Sequence, residues 1–438
     1  MRVWVDRLIR DGVLERGVLF EADDAGTVLS ETTTEAPADA LRLDLAAPGF
    51  ANAHSHAFHR ALRGRTHESG SFWTWRELMY RAAGRLDPGN YRELATGVFA
   101  EMVASGWTAV GEFHYVHHRP DGTPYENHAM ELALADAATD AGIRLVLLDT
   151  CYLTGGIGTP LSPEQARFGD GDAASWLRRW HALRDALADR APLVTLGAAV
   201  HSVRAVPREE IARIARELPA DVPLHIHLSE QPAENEACVA AYGRTPTELL
   251  AAKGLLAPRL SAVHATHLTE NDIRLLGDAG VHAVFCPTTE ADLGDGIGPA
   301  TELTVAGAKL AVGSDQNAVV DPLLELRGLE AGERLRSLQR GRIAPATLWS
   351  IGSAGGYSSL GLAPAARVGG PLDLVELDTM SLRTSGSRAE QLPLTATASD
   401  VRRVIIGGHP IPIDAHATAA RLARSISSLF GEDARTHG

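Results

Sequence analysis

The chain has 438 residues, of which 45% are hydrophobic, so it is long enough to bury a large core. Its formal net charge of −14 argues against a surface for nucleic acid or for an anionic membrane, because both need clustered basic residues. No run of about 18 apolar residues occurs and the N-terminus has no signal-peptide core, so we expect a cytoplasmic protein without membrane or nucleic-acid partners.

The first part of the chain has the pattern of short β-strands joined by turns. Strands are predicted over Met1–Ile9, Gly17–Glu21 and Thr27–Leu29, and the polar stretch Ser30–Asp39 follows them. These segments predict a small β unit ahead of the main body of the chain.

From Leu41 onward the pattern alternates between strand and helix, which is typical of a parallel sheet. The predicted strands are Leu41–Ala53, Thr108–Tyr115, Arg144–Tyr152, Leu193–Val200, Leu224–Leu228, Leu260–His264, His282–Cys286 and Lys309–Val312. The helical patterns between them include Gly89–Ser105, Glu126–Ala141, Ala173–Ala188, Arg208–Glu217, Thr247–Lys253 and Glu270–Ala279. Eight such units favour a (β/α)₈ TIM-like barrel over an open doubly wound sheet.

The alternation stops after about Gly369. Strands are then predicted over Pro371–Asp378 and Val401–Ile406, and a closing helix over Ala415–Leu429. The fold class predicted is therefore α/β, with a barrel over residues 48–369. Residues 1–47 and 370–438 together would form a small β-sandwich domain beside it.

Six predicted strands end in side chains that can do chemistry, and in a parallel barrel these ends share one rim. His54 and His56 point to the same side of an extended strand, because strand side chains alternate with period two. A lone pair of this kind is a weak signal, but here it follows Pro48-Gly49 at a strand end.

Two further strand ends complete a set of possible metal ligands. His227 closes an apolar strand, Glu230 follows it, and Asp315 closes the last strand. Taken singly, Asp315 is equally explained as a helix N-cap and His227 as a hydrogen-bonded core histidine. Together, three imidazoles and one carboxylate suit zinc or a similar first-row ion with a position open for water.

Cysteine and lysine are scarce, which narrows the kind of metal site. Cys151, Cys238 and Cys286 are widely spaced, so neither a disulfide framework nor a thiolate zinc site is indicated. Binuclear barrel hydrolases commonly bridge two ions with a modified lysine at a strand end. Lys309 instead begins its strand and Lys253 falls in a helical pattern, so we predict a single divalent ion.

Three stretches resemble the formimidoylglutamate deiminases, which are N-formimino-L-glutamate iminohydrolases of the amidohydrolase superfamily. The similarity covers nearly the whole chain, and its most specific motif is the block Phe72–Arg81. The three stretches are His54–Phe58, Phe72–Arg81 and Glu112–His118.

The resemblance implies a Zn²⁺-dependent hydrolase of histidine degradation, which releases N-formyl-L-glutamate and ammonia from N-formimidoyl-L-glutamate, and it suggests a homodimer. It also implies roles for particular residues, while His267 is expected to be structural. The metal ligands would be His54, His56, His227 and Asp315; the catalytic residues Glu230, His264 and Asp315; and the substrate-binding residues His59, Arg76, Tyr115, His201 and Arg204.

Two positions depart from the family pattern at what we expect to be the amidine end of the substrate. His59 stands where the family often has glutamine, and Gln316-Asn317 stands where relatives usually have Ser-His. A related enzyme that acts on a guanine-like or other heterocyclic amine is therefore an alternative, although a neutral heterocycle would not need Arg76 and Arg204. A catalytically inactive scaffold is the alternative from another class.

The segment Thr154–Asp172 is rich in glycine and proline and is too long for a tight connection. A segment of this kind is either an active-site lid or a mobile surface excursion.

Overall fold

Two β-sheets organise the chain in a computed structural model that describes residues 1–66 and 72–432, without the side chains of residues 72–74. Residues 433–438 of the predicted terminal domain, and the first three side chains of the Phe72–Arg81 block, lie outside the described part. The first sheet begins with four strands: β1 (Arg2–Arg10), β2 (Val13–Ala22), β3 (Val28–Thr33) and β4 (Leu41–Pro48). Strand β1 pairs antiparallel with β2 and parallel with β4.

The second sheet contains eight parallel strands in sequence order. They are β5 (Phe50–Ser55), β6 (Trp107–His114), β7 (Arg144–Cys151), β8 (Val194–Val200), β9 (Leu224–Leu228), β10 (Leu260–His264), β11 (His282–Phe285) and β12 (Lys309–Val312). The first and last strands meet through a parallel bridge between Ser55 and Asp315. There the Asp315 N–H donates to the His54 carbonyl and the His56 N–H donates to the Asp315 carbonyl, each at 2.9 Å. The predicted (β/α)₈ barrel is thus confirmed.

The predicted strand Leu41–Ala53 is wrong as a single element, because the chain changes sheets within it. Strand β4 belongs to the terminal sheet and β5 to the barrel, with Gly49 between them. A Cβ at Gly49 would lie 2.1 Å from Oγ1 of Thr108, so only glycine allows the chain to pass this close to β6. The Gly49 N–H donates to the carbonyl of Asp373 at 2.9 Å.

Helices cover the outside of the barrel. They are α1 (Phe72–Arg85), α2 (Pro88–Ser105), α3 (Ala129–Ala141), α4 (Ala173–Ala186), α5 (Arg208–Glu217), α6 (Pro232–Tyr242), α7 (Pro246–Ala252), α8 (Glu270–Asp278), α9 (Pro287–Leu293), α10 (Ala300–Ala306), α11 (Pro322–Ser337), α12 (Pro345–Ser350) and α13 (Gly356–Ser359). The predicted helix Glu126–Ala141 is broken, because Asn127 and His128 take left-handed φ angles of 53° and 54°. A 3₁₀ turn over Glu126–His128 precedes α3 there.

The end of the chain returns to the first sheet. Strands β13 (Leu374–Leu377), β14 (Val401–Ile406) and β15 (His409–Pro410) extend it to seven strands in the order β15-β14-β13-β4-β1-β2-β3. Helix α14 (Ala415–Phe430) packs on α2. The terminal segments therefore build a separate small β unit, as predicted. Among the described residues, no helix is both long enough and apolar enough to cross a membrane.

The buried carboxylate of Asp373 joins the terminal sheet to the barrel. It accepts hydrogen bonds from Nε and Nη2 of Arg144, at 3.0 and 3.1 Å, and from the Tyr357 hydroxyl at 2.6 Å. Arg144 begins barrel strand β7, so this ion pair fixes one end of the barrel against β13.

Candidate metal centre and active site

The four predicted metal ligands converge at the carboxyl end of the barrel strands. Nε2 of His227 lies 3.2 Å from Nε2 of His54 and 3.4 Å from Nε2 of His56. Oδ1 of Asp315 lies 3.4 Å from Nε2 of His54 and 3.5 Å from Nε2 of His56. Residues from strands β5 and β9 and from the end of β12 therefore point four donor atoms at one position.

These separations fit one small divalent ion. Bonds of about 2.0–2.2 Å in tetrahedral geometry place ligand atoms roughly 3.3–3.6 Å apart. A metal also requires neutral imidazoles. Burial lowers the pKa of His54 and His227 well below the usual value, and burial together with the neighbouring His54 lowers the pKa of His56 to about 3. The donor set and its protonation state therefore suit a first-row ion.

Backbone carbonyls orient two of the three imidazole rings. Nδ1 of His56 lies 2.9 Å from the carbonyl of Phe113, and Nδ1 of His227 lies 2.9 Å from the carbonyl of His201. A neutral ring that donates from Nδ1 keeps its Nε2 lone pair for a metal. The third ring, that of His54, has a buried Nδ1 without a hydrogen-bond partner among the described residues.

His264 and Glu230 lie beside the ligand cluster. Nε2 of His264 is 3.8 Å from Oε1 of Glu230 and 3.9 Å from Oδ2 of Asp315. Burial opposes protonation of His264, but the charge of Glu230 and the contact with Glu290 outweigh it and raise its pKa to about 10. The imidazole therefore lies beside the ligand cluster, with carboxylates near both of its ring nitrogens. The sequence did not identify Glu290, whose Oε1 lies 3.4 Å from Nδ1 of His264.

The predicted substrate-binding residues line one cavity with these groups. The cavity is bounded by His56, His227, Glu230, His264 and Asp315 on the ligand side, and by His59, Arg76, Tyr115, His201 and Arg204 on the other. Its wall also contains residues that the sequence did not identify as site residues: Trp75, Met79, Tyr80, Tyr152, Phe168 and Leu293.

Two ion pairs hold Arg204 in this wall. Its Nε lies 3.1 Å from Oε2 of Glu234, and its Nη2 lies 3.7 Å from Oε2 of Glu230. The contact between Nε of Arg204 and Oε2 of Glu234 is not aligned as a hydrogen bond. Neither atom has a hydrogen-bond partner among the described residues. Glu234 is a buried residue in the first turn of α6 that sequence reasoning missed, although it follows Glu230 by only four positions.

The two departures from the family pattern have different surroundings. His59 lines the cavity, and its Nε2 lies 3.1 Å from the Tyr115 hydroxyl. Oε1 of Gln316 accepts a hydrogen bond from Nε1 of Trp75 at 3.0 Å, so Gln316 helps to position a ring that lines the cavity. Asn317 is fully buried behind the ligands instead, where its Nδ2 donates to the carbonyl of His56 at 3.0 Å.

The segment Thr154–Asp172 forms part of the cavity wall rather than a surface excursion. Its 3₁₀ helix, Pro163–Phe168, places the buried ring of Phe168 in the cavity. Arg167 is also buried, and it donates to the carbonyls of His118 at 3.1 Å and Leu86 at 3.0 Å. Outside the cavity lining, Nε2 of His267 lies 2.8 Å from the carbonyl of Asp295, which agrees with a structural role.

Comparison with known proteins places these features in a family context. The profile of the amidohydrolase family matches residues 45–411. A formimidoylglutamate deiminase of Pseudomonas aeruginosa is 38% identical, over 98% of this chain and 99% of its own length. An 8-oxoguanine deaminase of the same organism is 31% identical, over 87% of this chain and 85% of its own. The crystal structure of an amidohydrolase from Brucella melitensis superimposes with a TM-score of 0.91 at 31% identity, covering 98% of this chain and 99% of that one.

Proposed function

Because the chain belongs to the amidohydrolase family and is a hydrolase that acts on C–N bonds, we propose that it hydrolyses N-formimidoyl-L-glutamate to N-formyl-L-glutamate and ammonia. One observation carries the proposal: a single cavity contains both the ligand cluster and two guanidinium groups, those of Arg76 and Arg204. The ligand cluster can hold a metal that activates the attacking water, and the two guanidinium groups can bind an acidic substrate. The similarity to a formimidoylglutamate deiminase over nearly the full length supports this reading, and with it a place in histidine degradation.

We propose that His54, His56, His227 and Asp315 hold one Zn²⁺ ion. Bound zinc lowers the pKa of its water from about 16 toward about 7, which makes a hydroxide available at neutral pH. Removal of the metal with a chelator is expected to abolish ammonia release, and stoichiometric Zn²⁺ to restore it. Elemental analysis of the purified protein would then find about one ion per chain.

Protons are proposed to move between three side chains. Water adds to the formimidoyl carbon, the bond from this carbon to the terminal nitrogen breaks, and ammonia leaves. Asp315 would accept a proton from the attacking water, and Glu230 would deliver a proton to the departing nitrogen. His264 would donate from Nε2 toward the charge that develops at the attacked centre.

The substrate carries two carboxylates, and the opposite wall offers the groups that bind them. Guanidinium groups pair with carboxylates in a bidentate manner, which suits Arg76 and Arg204. Tyr115 and His201 would add hydrogen bonds. We propose that His59 contacts the formimidoyl group; burial and the neighbouring His56 lower its pKa well below the usual range, so it is a neutral ring.

A panel of amines tests the proposed substrate. Ammonia release should be rapid with formimidoylglutamate and slow with guanine and 8-oxoguanine. Arg204→Met should raise KM for formimidoylglutamate at least tenfold, because it removes a charge-assisted hydrogen bond. Arg204→Lys, which keeps the charge near Glu234, is the matched control and should lose less.

The second candidate is a heterocyclic amine, which the 31% identity to an 8-oxoguanine deaminase favours. Ammonia release from 8-oxoguanine but not from formimidoylglutamate would overturn the proposed function in favour of this one. An inactive scaffold agrees poorly with the site, since all four proposed ligands and Glu230 are present and converge.

Three further proposals concern the whole protein. We propose a barrel domain over residues 48–369, a terminal domain formed by residues 1–47 and 370–438, and a homodimer located in the cytoplasm. Sedimentation equilibrium would test the dimer directly.

A further inference from the structure

A buried glutamine connects two tyrosines of the cavity wall. Gln165 lies in the 3₁₀ helix Pro163–Phe168 and is only 3% exposed. Its Nε2 donates to the hydroxyl oxygen of Tyr80 at 3.0 Å and to that of Tyr152 at 2.8 Å. Both tyrosines line the cavity together with Arg76 and Arg204. Gln165 thus contacts two residues that line the cavity.

The direction of these two hydrogen bonds is fixed by a third. Oε1 of Gln165 accepts from the N–H of Ser162 at 2.9 Å, so the other terminal atom of the side chain is the amino nitrogen. An amide nitrogen has two hydrogens, and both are used on the tyrosines. Each phenol oxygen is therefore an acceptor toward Gln165, and its own proton points elsewhere.

The oxygen of Tyr80 accepts a second bond, from Nε of Arg76 at 2.8 Å. Because the oxygen already accepts two hydrogen bonds, the Tyr80 hydroxyl can bind a further group only by donating its proton. Within the part of the chain that the structure describes, no side chain or carbonyl is recorded as accepting the proton of either Tyr80 or Tyr152. Both tyrosines line the cavity, so an acceptor bound there is the available partner for these protons.

We propose that Gln165 is a positioning residue that turns the hydroxyl protons of Tyr80 and Tyr152 into the cavity, where both donate to a carboxylate of the substrate. This inference rests on the proposed function, because it takes the ligand to be a glutamate-like dicarboxylate. A carboxylate oxygen accepts several hydrogen bonds, and those to a charged group are the stronger ones. Tyr80 and Tyr152 would then set the preference for an acidic substrate together with the two arginines.

The variant Gln165→Glu tests the direction of the hydrogen bonds at nearly constant shape. A carboxylate at this position can still accept from Ser162 N–H, but it must also accept from both tyrosines and so turn their protons away from the cavity. We expect KM for formimidoylglutamate and the dissociation constant of glutarate to rise on the order of 10- to 100-fold, because two charge-assisted bonds are lost. The turnover number at saturation should change less than about threefold, and the bound metal not at all.

Three comparisons separate this effect from added charge and from lost packing. Gln339→Glu adds the same charge at an exposed position and should change neither constant. Gln165→Met keeps the volume without any donor and should raise KM to a smaller extent, since the hydroxyls are then free to rotate. In the background of Tyr80→Phe with Tyr152→Phe, Gln165→Glu should have little further effect on glutarate binding.

The outcomes against the inference are specific. Unchanged glutarate binding in Gln165→Glu overturns it, as does an equal weakening with and without the two tyrosine hydroxyls, which would be charge repulsion alone. A wild-type protein that binds glutarate in a Gln165-dependent manner yet releases no ammonia from formimidoylglutamate would contradict the proposed function and leave this inference supported.

Discussion

Glu230 lies next to the four proposed ligands without being one of them. Its carboxylate lies 3.8 Å from Nε2 of His264 and 3.7 Å from the guanidinium of Arg204, and it lines the cavity where the leaving nitrogen would be released. Its surroundings therefore suit a group that carries a proton rather than one that binds a metal.

The variant Glu230→Gln separates these two roles. It keeps the shape and removes the ability to transfer a proton, so turnover should fall by about 10²- to 10⁴-fold. Zinc content, measured by elemental analysis, should remain that of the wild type. Loss of the metal would instead make Glu230 a ligand.

At the level of single residues, the sequence predicted the groups that stand at strand ends. His227 and Asp315 follow apolar runs, and a parallel barrel brings such ends to one rim. Glu290 and Gln165 could not be predicted in this way, because they lie on a helix and a loop whose distance from the site depends on tertiary packing. Tyr80 could have been found, since it follows Arg76 by four residues and thus lies on the same helix face.

Among the elements, helix α4 is attached to the barrel by a buried group of charges. Arg179 forms ion pairs with Asp149 on β7 and Asp170 in the cavity-wall segment, both at 2.8 Å, and with Glu131 on α3 at 3.1 Å. Burial opposes the charge on Arg179, but the carboxylates outweigh it and raise its pKa well above its usual value. One guanidinium thus connects three elements around the segment that carries Gln165.

Removal of this guanidinium should destabilise the barrel strongly. In Arg179→Met, three buried carboxylates lose a cationic partner that they share, so the free energy of unfolding should fall by about 3–5 kcal/mol. The exposed helical pair of Arg274 with Asp278 is the matched control, and Arg274→Met should cost no more than about 0.5 kcal/mol. Urea unfolding measures both, and equal effects would contradict the importance of the buried group.

The same group of charges predicts a pH dependence. His117 lies with Nδ1 2.9 Å from Oε1 of Glu131 and with Nε2 2.9 Å from the carbonyl of Thr150. Burial and Arg179 oppose its protonation, but Asp149 and Glu131 outweigh them and raise its pKa. A raised pKa means that the folded state binds the proton more tightly than the unfolded state. The stabilisation is complete below about pH 6.5 and is lost as pH rises through the folded pKa.

His117→Gln should remove this part of the pH dependence. The wild type should lose stability relative to the variant as pH increases from 6 to 9, as measured by urea unfolding at each pH. A constant difference between the two proteins over this range would show that His117 does not titrate differently in the folded and unfolded states.

The strand–helix pattern predicted the bounds of several elements closely and did not identify others. Helix α2 agrees with the predicted Gly89–Ser105 within one residue at its start. The helices between β11 and β13 were not among the named helical patterns, and this holds for α11 with 16 residues as well as for shorter ones such as α9 and α10. The break before α3 was missed as well, since the left-handed residues Asn127 and His128 interrupt a run that otherwise reads as continuous helix.

At the scale of the molecule, the barrel closes at the candidate metal centre itself. Gly313, one residue beyond β12, lies so close to β5 that a Cβ there would be 2.6 Å from the carbonyl oxygen of His54 and 2.8 Å from its nitrogen. The two strands that meet here carry three of the four proposed ligands. The geometry of the metal site and the closure of the barrel therefore depend on the same contact.

Gly313→Ala should push β12 away from β5 and move Asp315 relative to His54 and His56. Metal affinity, measured by competition with a chelator, should fall by at least tenfold and the thermal midpoint should decrease. Gly84→Ala on α1 is the control, because a Cβ there meets no atom within 4 Å and alanine favours a helix. An unchanged metal affinity in Gly313→Ala would show that metal binding does not depend on the contact that closes the barrel.

The barrel and the contribution of both termini to the small sheet could be predicted from the whole sequence. The predicted strand Leu41–Ala53 nevertheless continued through the transfer at Gly49, although Arg42 and Asp44 make the first half alternate and Pro48-Gly49 is a turn signal. The close approach to Thr108, a contact between residues distant in sequence, explains why this position must be glycine.

The position of β4 has a consequence for synthesis of the protein. Its neighbours in the sheet are β1 on one side and β13 on the other, where Pro48 is paired with Leu374. On the ribosome, the first four strands emerge long before β13, so the edge of β4 stays unpaired while the barrel is translated. An open strand edge invites pairing with another chain. Nascent molecules of this protein are therefore expected to expose this edge until their last strands are made.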